Sequence, residues 1–173
     1  SSEVAPFAKS GGLGDVLGAL PQNLAAQGND VRVMLPKYGL IADEFVSEMN
    51  FELYTYVPVG WRNKYCGVFS IKKAGVTYYF IDNEFYYRRG TLYGAGDDLE
   101  RFAFFCKAVV DLLPLIDFYP DYLHAHDWQA ALSVVYLNCK YRQYAKYANI
   151  RAVKHLPVMK YDGDYTNPNL ADY

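Results

Sequence analysis

Lys9-Ser10-Gly11-Gly12-Leu13-Gly14-Asp15 is a glycine-rich turn at the predicted start of a helix. Apolar residues at helical spacing follow, and Gly28 is a typical C-terminal stop for that helix. We expect Asp15 to cap the helix. Residues 31–35 then form an apolar run that predicts a buried strand, ended by Pro36. A turn, a helix and a buried strand in this order favour an α/β fold.

The rest of the chain alternates between strand and helix signals. Runs rich in Val, Tyr, Phe and Ile predict three strands that form an inserted antiparallel ribbon, at 51–57, 65–71 and 75–81. A helix begins near Asp97, which has capping-box spacing to Glu100. Two further strands, at 121–125 and 149–153, flank a helix that Asp127 is expected to cap.

These elements predict an α/β domain over residues 1–153, with a Rossmann-like, mainly parallel sheet, helices on both faces and the inserted antiparallel ribbon. Residues 154–173 contain Pro and Gly and show no hydrophobic period. We expect them to form an irregular tail.

Composition argues against several classes of protein. A length of 173 residues suffices for one domain. The 17 basic and 19 acidic side chains give a net charge of −2, which argues against nucleic acid or an anionic membrane as partner, because both are usually met by a basic face. No apolar run approaches the roughly 20 residues that span a bilayer. The 3 cysteines lack metal-binding spacing and indicate a reducing, cytosolic setting.

The glycine-rich turn has the chemistry of a phosphate site. Gly11 and Gly12 let the backbone approach a ligand, the helix N-terminus offers free N–H groups, and Lys9 adds a positive charge. The stretch is not a dinucleotide fingerprint, because Leu17 stands at the third glycine position, and it is not a P-loop. The alternative is a tight turn beside a solvated lysine.

A second motif, His124-Ala125-His126-Asp127-Trp128, ends a predicted strand, where ligands of open α/β sheets bind. Strand alternation places the two histidines on one face. They could hold a metal ion, act as general acid or base, or hydrogen-bond a polar substrate. The structural alternative is a helix cap at Asp127 beside two packed histidines.

Two weaker features remain. Phe85-Tyr86-Tyr87-Arg88-Arg89, with Tyr93, could stack and hydrogen-bond a sugar, or could pack around the ribbon. Asp162-Gly163-Asp164 could share a divalent cation with a ligand, but such a triplet is far more often a turn.

Read in order, these motifs resemble the amino-terminal region of the ADP-glucose-using bacterial glycogen synthases and plant starch synthases. The resemblance covers about residues 2–153. The segments that carry it are 2–16, Ala19-Leu20-Pro21, Leu35-Pro36-Lys37-Tyr38, Tyr79-Phe80-Ile81-Asp82-Asn83, Leu92-Tyr93-Gly94, Asp98-Leu99-Glu100-Arg101-Phe102 and His124-Ala125-His126-Asp127-Trp128.

The resemblance implies a GT-B glycosyltransferase, built from two Rossmann-like domains with the active site in the cleft between them. It implies retaining, metal-independent transfer of glucose from ADP-glucose to the non-reducing end of an α-1,4-glucan such as glycogen or starch, with no cofactor. The carboxyl-terminal domain is absent from these 173 residues, so we expect little activity from them alone. The implied location is the bacterial cytoplasm, or the plastid for a plant protein.

Site roles also follow from the resemblance. Lys9 matches the lysine that meets the donor diphosphate, with Gly11 and Gly12 as the backbone cradle. The remaining matched positions are Asp15 as an acidic residue of that motif, Tyr93 in substrate binding, and Asp127, with His126 and Trp128, near the transferred glucose.

Two other functions remain open. The high aromatic content, 18 Tyr and 10 Phe, also fits a non-catalytic glucan-binding or regulatory module. His124 and His126 would also fit a metal-dependent hydrolase.

Overall fold

The structure is a computed structural model and describes residues 1–155. Its α-helices are α1 (Gly12–Ala26), α2 (Asp43–Glu48), α3 (Glu84–Tyr87), α4 (Asp98–Leu112) and α5 (Ala131–Tyr136), with a 3₁₀ turn at Trp128–Ala130 and a π-helical turn at Leu137–Tyr141. Its strands are β1 (Val31–Pro36), β2 (Asn50–Val59), β3 (Arg62–Lys73), β4 (Val76–Asp82), β5 (Tyr122–His126) and β6 (Arg151–His155).

The strands form a four-stranded sheet in the order β1-β4-β3-β2 and a separate pair, β5-β6. β1 with β4 and β5 with β6 are parallel, whereas β2, β3 and β4 are joined antiparallel. The predicted α/β class, parallel pairing and antiparallel ribbon are therefore confirmed. The ribbon is continuous with the main sheet, because its last strand, β4, also pairs with β1.

The two parallel pairs lie on either side of a largely apolar cavity of about 610 Å³. β1 and β5 border it, and among the described residues neither has a strand partner on that side. Phe105 and Val109 of α4, with Leu113 directly after the helix, close the cavity. This helix packs against both β1 and α5, so it ties the two halves together.

Aromatic side chains form much of the core. Phe7 meets Tyr78 and Phe80 edge to face, with ring centroids 5.0 Å apart in both pairs. Tyr86 and Tyr87 are fully buried beside α4. Two tyrosines of the segment that could have lined a sugar site are thus core residues, whereas Phe85 and Arg88 are exposed.

Several local predictions need correction. α1 begins at Gly12, so Asp15 lies inside its first turn and does not cap it. Asp97 makes no capping bond either. Its carboxylate pairs with Arg89 at 2.5 Å, and Glu100 pairs with Arg62 at 2.7 Å, because long-range partners compete successfully for both.

The carboxyl-terminal end of the described chain is a strand that is longer than predicted. β6 runs to His155, two residues past the predicted end, and it includes Lys154 and His155 from the predicted tail. The rest of that tail, with Asp162 and Asp164, lies outside the described residues. Within residues 1–155, no helix is both long and apolar enough to cross a bilayer.

Candidate functional site

The amino end of α1 is an open surface. Gly11, the residue before the helix, has extended backbone dihedrals, and its helix has no side-chain cap. A Cβ atom built on Gly11 or Gly12 would meet nothing within 4 Å. The first N–H groups of an α-helix have no partner within the helix, so this end combines open space with unpaired donors and the positive end of the helix dipole.

Gly14 leaves room for the side chain of Lys9 at this end of the helix. A Cβ on Gly14 would lie 2.8 Å from Cγ of Lys9, so the absence of a side chain there lets the lysine stem cross the helix. The Lys9 ammonium lies 2.7 Å from the Asp15 carboxylate. Both side chains are about half exposed or more, at 48% and 62%, and an exposed pair of this kind is worth only about 0–1 kcal/mol. A ligand could therefore exchange this contact at little cost.

Glu3 lies beneath the glycine-rich turn and is 3% exposed. Its carboxylate accepts hydrogen bonds from the Ser10 N–H at 2.6 Å, the Ser10 hydroxyl at 2.7 Å and the Gly11 N–H at 3.2 Å. Burial opposes ionisation, but these bonds, with one from Tyr93, outweigh it and hold the pKa of Glu3 below its ordinary value. The Gly11 N–H thus points inward, and Gly12 is the first residue of the turn whose N–H can face a ligand.

Tyr93 connects the turn to the second motif. Its hydroxyl donates to Oε1 of Glu3 at 2.7 Å and lies 2.9 Å from the Ser2 hydroxyl. Burial raises the pKa of the phenol, so it stays protonated. Its ring lies 6.0 Å from that of Phe102, which in turn meets Trp128 edge to face at 5.4 Å. One aromatic row therefore joins the two predicted motifs.

Asp127 sits at the end of β5 in a strained conformation. Its φ of +64° lies in a region that residues other than glycine rarely adopt, at a cost of order 1–3 kcal/mol. The Asp127 N–H donates to the His155 carbonyl at 3.0 Å, and its carboxylate accepts from the Trp128 N–H at 2.6 Å. Asp127 thus caps the 3₁₀ turn Trp128–Ala130 and not α5 itself, whose N-cap is Ala130 without a side-chain cap. Such strain recurs at functional sites, where surrounding structure holds a side chain in place.

His126 is buried and electrically neutral. Its ring lies 3.9 Å from that of His124 and 5.6 Å from that of His155. Nδ1 of His126 has no hydrogen-bond partner among the described residues. Within residues 1–155, no three His, Cys, Asp or Glu side chains are grouped to hold a metal ion, so the geometry gives the hydrolase alternative no support.

Acidification is expected to destabilise the protein through His126. Burial, reinforced by the neighbouring His124, lowers the pKa of His126 to about 3. A histidine in the unfolded chain titrates near 6.5, so below that pH the unfolded state binds a proton that the folded state does not, and the free energy of unfolding falls. At about 1.4 kcal/mol per pH unit, the loss between pH 6.5 and pH 5 is about 2 kcal/mol.

Thermal unfolding at pH 7 and at pH 5 measures this loss. The matched variant is His126→Phe, which keeps a ring and removes the titration. The wild type should lose more stability than the variant over this interval. Equal losses in the two proteins would contradict the assignment.

The structure brings the predicted residues together in two groups. One holds Lys9, Asp15 and the glycines, and the other holds His126, Asp127 and Trp128. Among the described residues, no hydrogen bond or ion pair joins the side chains of Lys9 or Asp15 to those of His126 or Asp127. The link runs through Tyr93 and the aromatic row.

Sequence reasoning missed Glu3, and it placed His155 in the irregular tail without a role. Glu3 makes its contacts across 7 and 90 residues of chain, and no local pattern marks such a partner. His155 had a usable signal. It ends β6 as His126 ends β5, the two residues are register partners, and the ends of neighbouring parallel strands meet at one edge of a sheet.

Comparison with known proteins identifies the family. The family description "starch synthase catalytic domain" matches residues 1–172. The chain is 49% identical over 171 residues to the glycogen synthase of Geobacillus thermodenitrificans, covering 99% of this chain and 35% of that protein. It is 47% identical over 165 residues to the glycogen synthase of Clostridium kluyveri, covering 95% and 35%. The chain thus spans about a third of the length of these relatives.

A solved structure agrees. The catalytic domain of starch synthase IV from Arabidopsis thaliana, bound to ADP and acarbose, superimposes with a TM-score of 0.81 at 29% identity, over 88% of this chain and 32% of that one. The two motifs, their order and their placement at helix and strand ends fit this assignment. The chain belongs to the starch synthase catalytic-domain family of glycosyltransferases.

Proposed function

We propose that this chain supplies the amino-terminal half of a glucosyltransferase site. The whole protein would move glucose from ADP-glucose to the non-reducing end of an α-1,4-glucan, with retention of configuration and without a metal ion. The observation that supports this most directly is the position of Lys9, whose stem crosses Gly14 so that its ammonium lies beside the open end of α1. An ammonium and a helix N-terminus both favour a phosphate group.

The same arrangement suits departure of the diphosphate. When the bond between glucose C1 and the donor phosphate breaks, negative charge grows on the leaving oxygen. Lys9 and the unpaired N–H groups of α1 would stabilise that charge without needing to reorganise. Asp15 would hold the ammonium in place until the diphosphate takes over the contact.

The second group would face the glucose. Asp127 is fixed by its own strained backbone, so its carboxylate could accept a sugar hydroxyl in a defined orientation. His126 is neutral at physiological pH and would act there as a hydrogen-bonding group, not as a proton donor. Trp128 and Tyr93 would contribute ring surface. The Tyr93 hydroxyl itself is already bonded to Glu3.

The remaining part of the protein is the partner that this proposal requires. We infer that residues 1–153 form one Rossmann-like domain of a GT-B enzyme, and that the second domain completes the cleft and binds the rest of the nucleotide. The matched glycogen synthases are bacterial proteins, which supports a cytoplasmic location.

Incorporation of labelled glucose from ADP-glucose into glycogen tests the function. The full-length protein is expected to be active, whereas residues 1–173 alone should transfer little or no glucose. Absence of transfer by the full-length protein would refute the function. Comparable turnover by residues 1–173 would instead refute the half-site.

A non-catalytic glucan-binding role is the second candidate. Tyr54, Tyr56 and Tyr65 are exposed on the β2–β3 ribbon, with ring centroids 6.1–6.5 Å apart, and could meet sugar rings. Affinity electrophoresis on glycogen, compared with titration of ADP, separates the two. Glycogen retention without ADP binding by the full-length protein would favour the second candidate.

A further inference from the structure

The carboxylate of Glu3 is the one contact point shared by the glycine-rich turn and Tyr93 in the described part of the chain. Oε2 accepts the N–H groups of Ser10 and Gly11, while Oε1 accepts the hydroxyls of Ser10 and Tyr93. All four donors lie within 3.2 Å. A carboxylate that is 3% exposed is stable only when such donors replace water, so the four bonds fix its position and theirs.

The backbone around Glu3 is itself held firmly. Val4 and Ala8 pair in a short antiparallel bridge, and the N–H of Ala5 donates to the Gly14 carbonyl at 3.0 Å. Glu3 therefore stands on a segment that is tied both to the turn and to the first turn of α1. Its carboxylate hydrogen-bonds to the turn and to Tyr93, so both are positioned relative to this segment.

We propose that Glu3 is a positioning residue for the donor site: its hydrogen bonds turn the Ser10 and Gly11 N–H groups inward and leave the amino end of α1 open to the diphosphate. This inference rests on the proposed function. Glu3 does not touch the ligand in this scheme. It acts through the turn, and through Tyr93 on the aromatic row that reaches Trp128.

The bond pattern predicts which substitution rescues the site. In Glu3→Gln, the amide oxygen can keep the Oε2 position and both backbone N–H groups. The amide nitrogen would then donate to the Ser10 and Tyr93 hydroxyls, which can reverse direction, and Tyr93 can donate to Ser2, 2.9 Å away. Glu3→Ala removes every one of these bonds. A role based on hydrogen bonding therefore separates the two variants, whereas a role based on charge does not.

The experiment uses the full-length protein with ADP-glucose and glycogen. Initial rates give kcat and both KM values, titration with ADP gives its Kd, and thermal unfolding reports folding. Glu3→Ala should raise the KM for ADP-glucose and the Kd for ADP at least tenfold, with the KM for glycogen within twofold of wild type. Glu3→Gln should stay within about threefold of wild type throughout. Glu48→Gln, at an exposed glutamate of α2, is the control and should change nothing.

Other outcomes have definite meanings. Unchanged ADP-glucose and ADP constants in Glu3→Ala would overturn the proposal, as would a Glu3→Gln variant as impaired as Glu3→Ala. Equal rises in the KM for both substrates would also overturn it, because they indicate a general structural role. If Glu3→Ala does not fold, Glu3→Asp takes its place, and its retracted carboxylate should raise the ADP-glucose KM at least fivefold. An inactive wild type would instead refute the proposed function, and ADP binding would still test Glu3.

Discussion

Replacement of Arg101 by methionine is expected to lower the free energy of unfolding of this domain by about 3–5 kcal/mol. Arg101 is fully buried on α4. Its guanidinium donates to the Asp98 carboxylate at 2.8 Å and to the carbonyls of Tyr86 and Leu92. Methionine fills similar space but leaves the carbonyls of Tyr86 and Leu92 without the guanidinium donor, and it removes the cation that faces Asp98. Calorimetry of the full-length protein should show the transition of this domain shifted down by roughly 6–20 °C.

Arg88→Met is the matched control. Arg88 forms an exposed i,i+4 pair with Glu84, with side chains 72% and 71% exposed, and such pairs contribute about 0.3–0.5 kcal/mol. The control should shift the transition by less than about 2 °C. Equal shifts for the two variants would contradict the role given to the buried guanidinium.

The Arg101 variant should also weaken donor binding, because the same contacts shape the loop that carries Tyr93. The Leu92 carbonyl bonds to Arg101, and Asp98 accepts the N–H groups of Gly94 and Ala95. Without the guanidinium, both anchors of this loop loosen. Stability and site geometry are thus coupled at one side chain.

Local signals in the sequence predicted most of the architecture. The apolar run before Pro36 became β1, the turn signal at Gly28 ended α1 with a φ of +90°, and Asp127 capped the turn that follows β5. Each of these depends on neighbours within a few residues, and this is the range over which hydrophobic period and turn chemistry act.

Contacts between distant segments decided what the sequence did not predict. The Asp97 carboxylate bonds to Arg89, so its capping potential is used elsewhere. Nothing in the sequence around Arg101 marks it as buried, because apart from nearby Asp98 its partners are carbonyls supplied by α3 and a loop. The parallel pairing of β4 with β1 likewise depends on a crossover, and the ribbon pattern alone predicts only the antiparallel pairs.

In the candidate site, too, local motifs were predictable and contacts between distant residues were not. The glycine-rich turn, Lys9 and the His126 motif were predicted from types and spacing. Their connection was not, because it runs through Glu3, Tyr93 and Phe102, which are 3, 93 and 102 residues into the chain. The sequence predicted that the Gly11 N–H would face the phosphate. In the structure it donates to the carboxylate of Glu3, eight residues earlier, and therefore points inward.

Lys9→Ala in the full-length protein is expected to lower kcat/KM for ADP-glucose roughly 5- to 150-fold. This corresponds to a loss of about 1–3 kcal/mol of transition-state stabilisation. The pair with Asp15 places the Lys9 ammonium, a full positive charge, beside the open end of α1. Its loss removes a charge-assisted bond to the diphosphate that strengthens as the leaving group gains charge. Initial rates at varied ADP-glucose and saturating glycogen measure the effect.

Two further variants separate the contact with the diphosphate from other roles of Lys9. Lys72→Ala, at an exposed lysine of β3, should leave the rates unchanged, because among the described residues no hydrogen bond or ion pair joins Lys72 to the glycine-rich turn. Gly14→Ala keeps the ammonium but places a Cβ 2.8 Å from the lysine stem, so it should raise the KM for ADP-glucose as Lys9→Ala does. Unchanged kcat and KM in Lys9→Ala would remove the diphosphate role. If Gly14→Ala keeps the wild-type KM while Lys9→Ala raises it, the charge of Lys9 matters but the position of its side chain over Gly14 does not. A displaced lysine would then reach the phosphate equally well.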